Sequence, residues 1–113
     1  MAVPLAQLLS SFAEAADSYT LVRLEFALHH PRLPAPPVLE RLTDPSEGGA
    51  RDRWDAIELQ LEGTRRYLRV LEERRGKRTA YDRPFARLER SIRELDQFAR
   101  AVRWAMTVED RRS

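Results

Sequence analysis

Apolar residues recur at steps of three and four along most of this chain, and that spacing predicts three long helices. Leu8, Phe12, Ala15, Tyr19, Val22, Phe26 and His29 form one stripe, which sets a first helix over residues 4–30. Leu21, Leu24 and Leu28 widen the stripe in its C-terminal half, so that half is expected to be the more deeply buried. Pro31 ends the helix. Residues 31–37, Pro-Arg-Leu-Pro-Ala-Pro-Pro, read as a stiff extended connector, because each proline lacks an N–H and disfavours helix just before it. A short helical turn is expected over residues 38–43, and Asp44-Pro-Ser-Glu-Gly-Gly reads as a loop, so that residues 31–49 form one linker.

A second helix is predicted over residues 50–75. Trp54, Ile57, Leu61, Thr64, Leu68 and Leu71 line one face, and Ala56, Leu59, Gly63, Tyr67 and Val70 line a second. The two merge into an apolar arc wider than one neighbour requires, so this helix either sits in the middle of the bundle or meets another chain. Gly63 costs about 1 kcal/mol of helix propensity relative to alanine, which points to a close backbone approach there. With Trp104, the residues Leu59, Gly63, Tyr67 and Val70 make the expected partner interface. Residues 76–81 form a turn, with Asp82 as N-cap and Pro84 in the first turn of a third helix over residues 83–108. Phe85, Leu88, Ile92, Leu95, Ala99, Val102 and Met106 hold three/four spacing through that whole segment, and residues 109–113 are expected to fray. The fold class is therefore all-α: a small, largely antiparallel bundle of three long helices plus a short helical turn, in one domain.

Charge adds what the periodicity does not. Between Arg65 and Arg93 eleven cations face four anions, a local charge of +7, whereas residues 1–64 carry −5 and residues 94–113 carry zero. The overall +2 thus hides a strong asymmetry, which suits a polyanion or an acidic protein surface better than it suits chemistry. The cations Arg65, Arg66, Arg69, Arg74, Arg75, Lys77, Arg78, Arg83, Arg87 and Arg90 would share one pole of an antiparallel helix pair. Such a pole fits a phosphate backbone, RNA or single-stranded DNA, because each phosphate neutralised releases counterions. An exposed Trp104 could stack on a base or enter a partner's pocket. The plain alternative is a solvated face, with Glu89–Arg93, Arg90–Glu94 and Asp96–Arg100 as weak one-turn pairs. The turn from Arg74 to Arg78 has no such acid neighbours.

The remaining chemistry is sparse. With no cysteine there is no disulfide, thiol nucleophile or thiolate metal site, which fits a cytoplasmic location. The apolar residues 1–9 lack a basic n-region, and Glu14 and Asp17 follow, so the segment reads as helix and not as a secretory signal. No apolar run approaches the roughly 18 residues that span a bilayer, so no membrane partner is expected. Glu25 lies one turn before His29, but the adjacent His29 and His30 diverge on a helix and no further His or Cys completes a metal shell, so a place beside the helix's last carbonyls explains the imidazoles. Asp52, Asp55, Glu58 and Glu62 read as a solvated face. No phosphate-cradling loop or catalytic triad spacing is present, so neither a cofactor nor an enzymatic role is expected.

A cysteine-free bundle of this size, with Arg65, Arg66, Arg69, Arg74, Arg75, Arg78, Arg83, Arg87 and Arg90 on two long helices, resembles the small helical subunits of multi-protein CRISPR surveillance complexes. The resemblance is one of size and architecture. It implies a non-catalytic subunit that contacts copies of itself and other protein subunits, with basic residues near nucleic-acid strands. The alternative is a protein–protein interaction module or homo-oligomeric adaptor whose basic pole docks an acidic partner.

Overall fold

The computed structural model describes residues 3–40, 47–76 and 82–112, and these form three helices with no strand among them: α1 (Leu5–His29), α2 (Glu47–Gly76) and α3 (Arg83–Arg112). The molecule measures 50 × 25 × 22 Å, and its long axis matches a 30-residue helix at about 1.5 Å per residue, so the helices lie side by side. Residues 41–43 of the expected helical turn, 44–46 of the expected loop and 77–81 of the expected turn lie outside the described residues. The start of that helical turn, Val38–Glu40, is not helical.

The periodic stripes of α1 and α3 meet each other and build most of the core. Phe12, Ala15, Tyr19, Val22 and Phe26 are buried against Phe85, Leu88, Ile92, Leu95, Ala99 and Val102. At the start of α1 the core takes Leu5 and Leu9, with Leu8 only partly buried. At its end the two histidines divide. His29 is exposed, its Nδ1 2.9 Å from the Glu25 carbonyl, whereas His30 stacks on Phe26 at 4.7 Å. Leu21, Leu24 and Leu28 reverse their expectation, since all three lie on the solvent side of α1. They point away from Phe12, Tyr19 and Phe26, and no described element of the chain covers them.

Two helix ends run further than their sequence suggests. α2 begins at Glu47, taking Gly48 and Gly49 into its first turn. α3 continues to Arg112, and Arg51 of α2 holds its last turns by pairing with Glu109 and, at 3.1 Å, with Asp110. Asp82 caps α3 as its position predicts: the Phe85 N–H donates to Asp82 Oδ1 at 3.0 Å.

The proline connector explains the breadth of the α2 arc. It lies along α1 and α2, and their side chains take its carbonyls. The Tyr19 hydroxyl donates to the Pro37 carbonyl at 2.6 Å, Arg23 donates twice to Pro36 at 3.0 and 3.2 Å, and the Tyr67 hydroxyl donates to Pro34 at 2.5 Å. Gln60 Oε1 accepts the Glu40 N–H at 2.8 Å, and Leu39 enters the core. The strap therefore covers the Gly63 and Tyr67 part of the arc, whereas Ala56 and Leu59 on the same face stay exposed. A Cβ on Gly63 would lie 3.6 Å from Pro37 Cβ, an ordinary contact, so a ring and not a close backbone sits over the glycine.

Candidate functional site

Folding draws much of the basic block into ion pairs that cross between helices. Arg65 is the clearest case: its guanidinium lies 2.6 Å from Asp96 on α3, 3.2 Å from Glu58 and 3.4 Å from Glu62. Burial alone would lower its pKa, but the carboxylates of Asp96 and Glu58 outweigh it and raise the value further. Arg75 reaches Glu89 on α3 at 3.0 Å, and Arg93 reaches Glu72 on α2 at 3.0 Å and Glu89 at 3.7 Å. Glu89 is a buried residue, not a surface partner of Arg93, and its Oε2 has no hydrogen-bond partner among the described residues. Arg87 pairs with Glu25 of α1 at 3.0 Å, and Arg100 pairs with Asp96 at 2.9 Å as their spacing predicts.

The pole is thus less cationic than its sequence. Of the turn from Arg74 to Arg78, Arg75 is paired across the bundle and Arg74 is also engaged. Lys77 and Arg78 lie outside the described residues. Four arginines of the predicted set remain exposed with no ion pair among the described residues: Arg66 and Arg69 on α2, and Arg83 and Arg90 on α3. Arg83, Arg90, Gln97 and Trp104 repeat every seven residues, which sets them along one outward face of α3, opposite Phe85, Leu88, Ile92 and Leu95.

Trp104 is 63% exposed and borders an open cleft of about 680 Å³ between α2 and α3, with Glu58, Arg65, Arg100 and Arg103 around it. Arg103 lies 3.5 Å from Asp55 and 3.6 Å from Glu58, so the rim of this cleft carries both signs of charge. The expected partner interface is split by the fold. Leu59 and Trp104 are exposed, Val70 is half-buried, and Gly63 and Tyr67 lie under the proline strap. Burial pushes the Tyr67 hydroxyl up to about 12, with Arg74 opposing, and pushes Tyr19 higher still, with Arg23 opposing.

One polar contact escaped the sequence reading. His30 is nearly enclosed, packed between Phe26 and Phe85, and its Nε2 donates to the Asp82 carboxylate at 3.0 Å. That bond joins the end of α1 to the cap of α3. No local spacing could reveal it, because the partners are 52 positions apart. Among the described residues no three His, Asp or Glu side chains converge on a point that would hold a metal ion, and no helix is long and apolar enough to cross a membrane. No family model, curated protein or solved structure matches this chain, so its own side chains carry the functional reading.

Proposed function

We propose that this chain is a non-catalytic, cytoplasmic subunit of a larger assembly, and that it holds a nucleic-acid backbone in the manner of the small CRISPR-complex subunits it resembles. The observation that carries the reading is the set Arg66, Arg69, Arg83 and Arg90, exposed and without carboxylate partners among the described residues. Arg65, Arg75, Arg87 and Arg93 contribute less, because a guanidinium already opposite a carboxylate gains little from a phosphate. The contacts are to phosphate, so they position a strand without reading its sequence.

The test is binding of a fluorescent single-stranded RNA or DNA to the full chain across a salt series. Four phosphate contacts give a log–log salt slope of about three. Reversing Arg66, Arg69, Arg83 and Arg90 to Glu removes binding while leaving helicity intact, and reversing Arg100 and Arg103, which already face carboxylates, removes much less. Undiminished binding by the fourfold variant sinks this site, and no binding at low salt sinks the nucleic-acid role.

A second reading, docking to an acidic protein surface, is favoured by the exposure of Trp104 beside Arg100 and Arg103, since tryptophan and arginine anchor protein interfaces. Competition by poly-glutamate equal to that by unlabelled RNA would select it.

A further inference from the structure

The outer face of α1 carries a seam that neither the strap nor the other helices cover. Leu21, Leu24 and Leu28 are 71%, 50% and 81% exposed, and their spacing sets them on one face over two successive turns. A single exposed leucine needs no explanation, whereas three in register make the kind of stripe that packs against another helix.

Charge brackets the seam in an ordered way. Glu14 and Asp17 are exposed on the same face toward the N-terminus, and Arg32 is exposed just past the end of the helix. None of the three has an ion pair among the described residues. From the N-terminal to the C-terminal end of α1 the order is acid, leucine, cation, and Glu25 within the seam is already paired with Arg87.

We propose that a second copy of this chain covers the seam, through an antiparallel two-fold pairing of α1 with α1. An acid–leucine–cation order is self-complementary only in that orientation, because each copy then lays its acidic end over the cationic end of the other. The register agrees. Pairing Leu21 with Leu28 of the second copy lays Asp17 toward the end of that copy's α1, the end that Arg32 follows. A parallel pairing would oppose like charges. Anionic lipid would be repelled by Glu14 and Asp17. This surface shares no residue with the arginine set above, so either proposal can fail without the other.

Sedimentation equilibrium of the full chain, from micromolar to millimolar, tests the pairing. The average mass should rise from 13.2 kDa toward twice that value. Leu24→Asp should hold the chain at the monomer mass with unchanged helicity, because Leu24 is half exposed and outside the core. Asp17→Arg and Arg32→Asp should each weaken the dimer by about tenfold, and the two together should restore it. A monomer at every concentration overturns the proposal, whether or not a different protein or a vesicle binds the seam. So do masses beyond the dimer, a Leu24→Asp variant that still dimerises, or a double swap that fails to restore pairing.

Discussion

Replacing Gly63 with alanine should stabilise the protein, although glycine in the middle of a long helix invites the view that only glycine fits there. The added Cβ would meet Pro37 Cβ at 3.6 Å and Pro37 Cγ at 3.7 Å, ordinary van der Waals separations with nothing closer. Moving from glycine to alanine in a helix interior gains about 1 kcal/mol of propensity. A methyl half-covered by the proline ring adds about 0.4 kcal/mol, half the value of a fully buried methylene. The sum is about 1.4 kcal/mol, which for a domain of this size raises the melting temperature by about 5–8 °C. Urea unfolding followed by circular dichroism at 222 nm should show a higher midpoint with an unchanged m-value. Gly63→Leu, whose branched end has to displace the strap, should lose that gain. A lower midpoint for Gly63→Ala would refute the reasoning, since it would mean that the strap lies closer to α2 than an alanine allows.

Asp82→Ala should cost about 1–2 kcal/mol by removing the α3 cap, and with it the bond from His30. The Asp82 pKa is lowered from its ordinary 3.8: burial opposes the shift, and the His30 and Phe85 hydrogen bonds outweigh it. Its contribution is therefore present above about pH 4 and lost as pH falls through the lower folded value, so wild type and variant should converge in acid; a constant gap down to pH 2 would contradict this. Tyr67→Phe should cost about 1 kcal/mol through the lost bond to Pro34. For Tyr67 the folded pKa, about 12, lies above the ordinary 10.0, so stability is full below pH 10 and falls as pH rises toward 12. Absorbance at 295 nm should show Tyr19 and Tyr67 ionising only as the chain unfolds, and normal titration of both near pH 10 would refute their burial.

The helices were legible because apolar spacing is a local property, and α3 kept its stripe from Phe85 to Met106. Leu21, Leu24 and Leu28 were misread for a physical reason: a wide apolar face looks the same whether the chain buries it or leaves it outside. Proline composition marked the connector as extended, but its seat depends on Tyr19, Arg23 and Tyr67, which lie 18, 13 and 33 positions from the carbonyls they bind. The arginine pole was legible as a charge density and not as a set of free cations. Arg65 finds Asp96 at a separation of 31 residues, and Arg87 finds Glu25 at 62, so the neutralisation exists only once helices are side by side. The arginines left exposed and without an ion pair among the described residues, Arg66, Arg69, Arg83 and Arg90, are a smaller set than periodicity alone could select.

The strap also divides the molecule into layers of unequal permanence. α1 and α3 share an extensive apolar seam, whereas α2 meets α1 through the Phe12–Trp54 and Phe26–Tyr67 ring contacts and by way of residues 34–40. Part of the grip on α2 thus passes through the strap, by the Tyr67 bond to Pro34 and the bond of Gln60 to the Glu40 N–H, bonds that water can replace one at a time. Local opening that releases the strap would loosen α2 while leaving the α1–α3 pair standing, so amide protons in the middle of α2 should exchange sooner than those of α1 and α3. A partner that binds across the strap and α2 would close that route, and would register as slowed exchange in α2 before any change appears in the rest of the bundle.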